Sequence, residues 1–309
     1  MKPLTKATLI ALMLASSSIL ADLNTGLVAY YLFNGNANDE SGNGFNGAVN
    51  GATLTEDRFG SLDSAYDFNG ADNFILIRDP LPLKLKIQNK ITLSAWIKIT
   101  GMPPNKDTLG MVVGSQCDAC GRVGASIFVD GRVNPDSQTG IPSRHIHFQI
   151  GDGSWHATNS KTQLPLNRWV HIVATRTANA NGKIYYNGVS QAVASAAWAG
   201  KISYDGTELS IGRQKDLNRY FFGQIDNVRI YNRALSPAEV LSLYKTEYPP
   251  IIKGTAAWPK LPYQVTCENV TTNTQVVITA KGSAYDCEKS GLVVNSGDRV
   301  KVTVDGLKY

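Results

Sequence analysis

Beyond Ala21 the chain has no apolar run of the roughly 20 residues that a membrane-spanning helix requires, so no helical membrane span is expected in the mature protein. Charge is scarce as well. Charged residues make up 18 % of the chain and the formal balance is +5, too weak to draw in nucleic acid. There is no serine nucleophile elbow, no phosphate-cradling glycine loop and no paired-histidine metalloprotease motif. The strand-like runs "ITLSAWIKIT", "HIHFQI" and "RWVHIVATRT" contain no Asp or Glu. That absence argues against a retaining glycosidase, whose acid and nucleophile sit about 5 Å apart, a spacing that acidic residues at alternate strand positions supply. No repeat period and no low-complexity tract is present, and cysteines number only four.

What is present starts with an export signal. Residues 1–21, "MKPLTKATLIALMLASSSILA", carry Lys2 and Lys6, then an apolar core, then small residues, as a secretory signal peptide does. Export makes disulfides the default for Cys117, Cys120, Cys267 and Cys287, and pairing within each close couple is the simplest of three connectivities.

Strand signals dominate the mature chain. In "ITLSAWIKIT" the residues Ile91, Leu93, Ala95, Ile97 and Ile99 alternate with a polar face that Trp96 interrupts, the period of a half-buried strand. "RWVHIVATRT" is apolar on both faces, as a central strand is. Asn187-Gly188 marks a two-residue hairpin, and Asp130-Gly131 and Asp205-Gly206 mark further turns. One helix is predicted at "SPAEVLSLY", with Ser236 as N-cap, Pro237 at its first position and Glu239 closing a capping box; Val240, Leu241 and Tyr244 form its apolar stripe. Pro249-Pro250 ends it. The organisation read from these signals is a domain over 22–248, a linker over 249–253 and a small β module over 254–309, with strands near "TQVVITA", "GLVV" and "RVKVTV" and a Cys267–Cys287 bridge compensating for its small core. The fold class is all-β, an antiparallel jelly-roll β-sandwich with one short helix, followed by a small all-β module.

The stretches "GLVAYYLFNGNANDESGNGFNG", "DRFGSLDSAYDFNG", "ITLSAWIKI", "NRWVHIVATRTANANGKIYYNGV" and "FFGQIDNVRIYNRALSPAEV" occur in this order over residues 26–248. Together they resemble the laminin G-like jelly-roll domains of the concanavalin A-like lectin/glucanase superfamily, in their bacterial secreted form. The superfamily holds lectins, adhesion modules, domains appended to hydrolases and true glucanases. The resemblance implies a first strand pairing near the last one, with a structural calcium between their ends. The metal loop would be "NDESGNG", with ligands Asp39, Gly42, Asn43 and Gly44, and the partner Asp226 in "QIDNVRIY". The glucanases' Glu-x-Asp-x-(x)-Glu strand motif is absent here. Strict alternation through "FFGQIDNVRI" puts Asp226 on the face of Phe222, Val228 and Ile230, where a carboxylate needs a cation, a partner or hydrogen bonds. The alternative is an oxygen-rich loop that caps its own turns, with Asp226 held by backbone N–H groups.

Candidate ligand contacts are Asp130, Arg132 and Asn134, the polar strand face of His145 and His147, Trp155, and Arg213 with Tyr220, because sugar recognition uses aromatic faces and planar polar groups. His145 and His147 with Cys117 and Cys120 also have the ligand types of a zinc site, against which an oxidising compartment argues. These features together predict a secreted (periplasmic, cell-surface or extracellular), calcium-stabilised, non-catalytic module that binds glycan or a cell-surface or matrix protein. A purely structural or assembly domain is the second reading, and a glycoside hydrolase or lyase with an atypical site the third.

Overall fold

The computed structural model describes residues 22–77, 87–101, 109–132, 143–177, 180–195, 200–204, 208–247, 253–255, 263–280, 284–287, 290, 292 and 300–306. The expected signal peptide, most of the linker, Asn134, the Asp205-Gly206 turn and all but Leu292 of the expected "GLVV" strand lie outside these residues.

Two sheets face each other. The first runs in the order β13 (Val189–Ser190), β12 (Lys183–Tyr186), β11 (Trp169–Arg176), β6 (Ile91–Ile99), β18 (Phe222–Tyr231), β4 (Ala65–Asn69) and β3 (Thr53–Thr55), with β1 (Leu27–Tyr31) also paired to β18. The second runs β14 (Val193–Ser195), β10 (Trp155–Ser160), β9 (Ile146–Asp152), β8 (Val123–Asp130), β7 (Leu109–Gly114), β15 (Leu209–Ile211), β5 (Phe74–Ile77) and β2 (Gly47–Asn50). At its side β16 (Arg213–Gln214) pairs with β17 (Arg219–Tyr220), whose Tyr220 lies parallel to Met111 of β7. The first strand therefore pairs with the last of the sandwich, Tyr30 opposite Arg229, as the resemblance implies.

Period-two alternation decides what fills the space between the sheets. Ile91, Leu93, Ala95, Ile97 and Ile99 of β6 point inward, as do Ala125, Ile127 and Val129 of β8 and Ile146, Phe148 and Ile150 of β9. Each Val, Leu, Ile or Phe among them contributes about 1.5–3 kcal/mol when fully buried. The hairpin at Asn187-Gly188 has positive φ at both residues (50° and 78°), which Asn and Gly tolerate best.

The helix α1 (Pro237–Glu247) starts as its sequence dictates: the Glu239 N–H donates to Ser236 Oγ (3.3 Å), and the Ser236 N–H donates to Glu239 Oε2 (2.7 Å). Its buried stripe is Val240, Leu243 and Glu247 rather than the predicted Val240, Leu241 and Tyr244; Leu241 faces outward, while Tyr244 is half-buried. The helix covers the outer face of the first sheet, where Trp96 stacks on His171 (5.2 Å between ring centres) and on Tyr244 (5.8 Å). The tryptophan that interrupts the polar face of β6 is thus explained: it forms the floor beneath α1 and is 2 % exposed.

One register prediction is corrected. A β-bulge between Asp226 and Arg229, with Asn227 at φ 47°, inserts an extra residue into β18. Ile225, Val228 and Ile230 join the core between the sheets, and Asp226 lies on the opposite face from them, under the helix. In the C-terminal module β20 (Tyr263–Asn269) sits between β21 (Thr274–Ala280) and β23 (Val300–Gly306), and β19 (Lys253–Thr255) pairs with β22 (Ala284–Asp286).

Candidate functional site

Two polar constellations stand out, one on each outer face of the sandwich. The first lies beneath α1 and bears on the expected calcium site. Asp39 is held entirely by the chain: its Oδ1 accepts the Tyr30 and Ser41 N–H groups (2.9 and 3.0 Å) and its Oδ2 accepts the Phe45 N–H (3.0 Å). Asn43 presents its amide N–H₂, a donor, to the Val28 carbonyl (3.0 Å). Gly42 and Gly44 adopt positive φ (82° and 78°) in the turn. Asp226, 2 % exposed, accepts from Arg58 Nη1 and from its neighbour's N–H at Asn227 (2.7 Å). Arg58 Nε also donates to the Glu247 carbonyl at the end of α1 (3.0 Å), and Nη2 donates to the Asn227 amide oxygen (2.8 Å).

Arg58 thus supplies the positive charge beside Asp226, and both carboxylates that the calcium reading needs already hold N–H donors. The residues do not fit a divalent cation, and among the described residues no three His, Cys, Asp or Glu side chains gather to hold a metal. Burial pushes the Asp226 carboxyl up to about 7, against the pull of Arg58. Glu247 lies beside it, with Oε2 accepting Trp96 Nε1–H (2.8 Å) and Oε1 at 2.8 Å from Arg229 Nε. Burial, with Arg58 and Arg229, holds the His171 imidazole down at about 3, although Glu247 Oε2 is 3.4 Å from its Nε2. Neutral His171 shares a 2.8 Å hydrogen bond with Ser94 Oγ.

The second constellation occupies the outer face of the second sheet. Because the core takes Ala125, Ile127 and Val129 from β8 and Ile146, Phe148 and Ile150 from β9, the residues between them face away: Ser126, Phe128 and Asp130, then His147 and Gln149. Asn159 of β10 continues the row opposite His147. Of the sequence-predicted contacts, Asp130, Arg132 and His147 come together here. Arg132 grips Asp130 through Nε (2.9 Å) and Nη2 (2.7 Å). Burial raises the Asp130 carboxyl, but the Arg132 bonds outweigh it and the group titrates below the usual carboxylate range. His147 packs edge-on to Phe128 (6.1 Å), and burial together with Arg132 lowers its pKa, keeping it neutral. His145 precedes β9 on the same side, half-buried.

Trp155 belongs to a rim that its sequence context did not reveal. Its Nε1–H donates to Asp118 Oδ1 (2.6 Å) in the Cys117–Cys120 turn. Gln214 Nε2 donates both to Asp118 Oδ2 (2.9 Å) and to Asp216 Oδ1 (2.9 Å), and Arg219 reaches Gln214 Oε1 (3.0 Å) and lies over the Phe128 ring. Arg213 stacks on Phe74 at 3.4 Å and pairs with Glu208 (3.1 Å). Tyr220 is opposite Arg213 in the β16–β17 hairpin. Both pairs of cysteines are joined as disulfides, Cys117 to Cys120 and Cys267 to Cys287, so no thiolate is left for zinc with His145 and His147. Sequence reasoning missed Gln116, Asp118, Ser126, Asn159, Gln214, Asp216 and Arg219. For Ser126 the signal was present: the alternation in "GASIFVD" places it with Phe128 and Asp130.

This face also carries unmet hydrogen-bonding capacity. Gln116 Oε1 and Ser126 Oγ are buried atoms with no hydrogen-bond partner among the described residues, while His147 lies against Asn159 and Gln149. Folded proteins leave few such atoms, and a group of them on one surface marks a place for ordered water or a ligand. Below the rim, a cleft of about 250 Å³ opens between the disulfide turn and the β15–β16 edge.

Comparison with known proteins agrees with this architecture. A laminin G-type family model, described as the concanavalin A-like lectin/glucanases superfamily, matches residues 69–241. No curated protein matches the chain. Among solved structures, domain 4 of an extracellular arabinanase from Geobacillus stearothermophilus, in complex with arabinotriose, superposes with a TM-score of 0.51 at 22 % identity, over 71 % of this chain and 98 % of that one. The binding domain of Paraclostridial Mosquitocidal Protein 1 gives 0.55 at 18 % identity, over 80 % of this chain and 58 % of that one. The receptor binding domain of a botulinum neurotoxin C/D mosaic serotype gives 0.54 at 14 % identity, over 89 % and 65 %. At these identities the likeness is one of fold.

Proposed function

From the premise that this chain belongs to the concanavalin A-like lectin/glucanases superfamily, we propose that it is an exported, non-catalytic recognition domain. It binds glycan, or a protein of a cell surface or matrix, through the outer face of the second sheet. The observation that carries this reading is the row of polar side chains Gln116, Ser126, His147, Gln149 and Asn159 on this face, with Gln116 Oε1 and Ser126 Oγ left unmatched. The other outer face is covered by α1, which leaves a ligand little access, although His171 Nδ1 beneath it also lacks a hydrogen-bond partner among the described residues. Structural neighbours named as binding domains, and one solved with a bound arabinotriose, support recognition as the use of this fold.

The carboxylates on the face support a binding role over catalysis. Asp118 and Asp216 each have both oxygens taken by donors (Trp155, Gln214 and backbone N–H groups), the arrangement of a scaffold rather than of an attacking or proton-donating pair. Two disulfides suit an oxidising compartment, and no helix among the described residues is long and apolar enough to cross a membrane.

A glycan array probed with the mature protein, followed by titration of its hits, tests the proposal. Saturable binding that Asn159→Ala weakens, with an unchanged melting midpoint, is the expected result. Binding to no glycan and to no surface protein, or binding that no variant of this face alters, rejects it.

A further inference from the structure

The geometry points to the Cys117–Cys120 disulfide as a thiol-exchange site, opened and reclosed by an external dithiol, with Cys120 as the sulfur that is attacked. This role stands apart from the recognition reading and does not depend on it. The two bridges of the chain differ in access. Cys267 and Cys287 are both fully buried, so a reagent reaches them only when their module opens. Cys117 is 7 % exposed, whereas Ala119 and Cys120 are exposed. Both Cys117 and Cys120 line the cleft below the rim, which gives an attacking sulfur room beside the bond. Exchange depends on which sulfur a thiolate can reach and on how well the other one leaves. Access selects Cys120. The Cys120 N–H donates to Cys117 Sγ (2.9 Å), and a donor there favours the charged form of the sulfur that leaves.

The chemistry is an ordinary exchange. An external thiolate attacks Cys120 Sγ; a bond forms between those sulfurs, the bond to Cys117 breaks, and its electron pair leaves on Cys117. The second thiol of the same reagent then attacks the reagent's first sulfur and releases Cys120. The dithiol ends as a disulfide, and its two electrons and two protons reside on the cysteines. The surroundings make the opening local and reversible. Cys117 is held without the bridge, its N–H and carbonyl paired with Val123 (3.0 and 3.1 Å). Between the cysteines, Asp216 Oδ2 accepts the Asp118 and Ala119 N–H groups (2.5 and 2.9 Å), and the Asp118 carboxylate accepts from Trp155 and Gln214. None of these bonds needs the disulfide, so the reduced cysteines stay close to their Cα separation of 5.2 Å, inside the span of about 4.4–6.8 Å from which a bridge forms. The carboxylates lining the cleft are engaged as well, Glu208 with Arg213 (3.1 Å) and Asp216 with its N–H donors, so an incoming thiolate meets charge that is already matched.

The test is acid quenching, alkylation and mass spectrometry of the native mature protein. With glutathione as a monothiol probe, the first mixed disulfide should form at Cys120. Dithiothreitol should free Cys117 and Cys120 about tenfold or more faster than Cys267 and Cys287, with no change in circular dichroism. Oxidised glutathione should then restore the bridge without refolding. Reduced thioredoxin is the protein dithiol: reduction by it as well assigns a macromolecular partner, and reduction by dithiothreitol alone assigns a small one. Cys117→Ser, which keeps the Cys120 thiol, should take glutathione from its disulfide about tenfold faster than Cys120→Ser does. Mapping of the wild-type adduct decides the matter if either variant fails to fold. A first adduct at Cys117 overturns the assignment of Cys120. Loss of both bridges at one rate, or reduction of the Cys117–Cys120 bridge only as the fold is lost, overturns the exchange site itself.

Discussion

Replacing Arg58 by methionine tests the claim that a guanidinium, rather than a metal ion, ties the loop before β4 to β18 and to the end of α1. The substitution keeps an unbranched apolar stem and removes the charge and its donors. Three groups lose partners: the Asp226 carboxylate, the Glu247 carbonyl and the Asn227 amide oxygen. Stacking of the guanidinium on Trp96 (4.7 Å) and Phe59 (4.6 Å) is lost as well. The size of the effect depends on pH. Burial raises the Asp226 carboxyl from 3.8 to about 7 in the folded protein, so it is protonated below that value and needs no counter-charge there. At about pH 6 the loss is then confined to unpaired carbonyl groups, about 1–3 kcal/mol. Above pH 7 the ionised carboxylate depends on Arg58, and the loss grows by about 1.4 kcal/mol per pH unit until the variant's own raised pKa is reached. Near pH 8.5 it should be about 3–5 kcal/mol, the range for breaking a buried pair from one side. For a domain of this size that is a fall in midpoint of about 6–20 °C. The sign follows from linkage: a carboxyl raised by folding favours the folded state at low pH and disfavours it as pH climbs through the folded value, and Arg58 offsets that penalty only while the group is ionised. Urea denaturation of the wild type, Arg58→Met and Arg58→Met/Asp226→Asn at both pH values provides the measurement. The double variant should lose the same amount at both. An Arg58→Met loss that does not change with pH, or that stays under about 1 kcal/mol at the higher one, would refute the reasoning. So would a rise in the wild-type midpoint with calcium that Asp226→Ala abolishes.

Other outcomes follow from the same structure. His171 is held neutral with a folded pKa of about 3 against 6.5, so its contribution is complete above 6.5 and is lost as pH falls toward 3; His171→Gln should flatten the acid limb of the stability curve by about 1.4 kcal/mol per pH unit, and parallel limbs in the two proteins would contradict the assignment. Chain-entropy estimates give the Cys117–Cys120 bridge about 2 kcal/mol and the longer Cys267–Cys287 loop about 3 kcal/mol, so Ser substitution of the second pair should cost more and melt the C-terminal module first by calorimetry. Trp155→Phe removes the donor to Asp118 Oδ1 and should cost about 1–3 kcal/mol locally, read as faster amide exchange at Asp118 and Ala119, whose N–H groups bind Asp216.

The sandwich was legible because its inward residues obey one local rule. Alternation in β6 and β9 named the core side chains correctly, and the capping box at Ser236 and the Asn187-Gly188 turn located the helix and a hairpin. "YQVTCEN" alternates too, with Val265 and Cys267 fully buried, and could have identified β20 in advance. The helix stripe was misjudged because the pattern was stopped at Tyr244. Carrying it one turn further gives Val240, Leu243 and Glu247, spaced three and four apart, and puts an acid on the buried face.

What alternation could not supply is any interaction between distant segments, and both polar sites consist of such interactions. Asp226 is paired with a residue 168 positions earlier, and Asp118 with a tryptophan 37 positions later. The bulge at Asn227 made the first case worse by shifting the register, so the count that put Asp226 in the apolar core was right in its period and wrong by one residue. A cue to the shift was present, since asparagine is among the few residues that adopt positive φ readily, and this bulge places Asn227 there. The error also bears on function. A carboxylate assigned to the core requires a partner of high charge, and a cation supplies it; the same carboxylate one residue out of phase, under a helix end whose last carbonyls are unpaired, is matched by an arginine that serves both. A register error of a single residue is therefore enough to turn an internal ion pair into an apparent metal site.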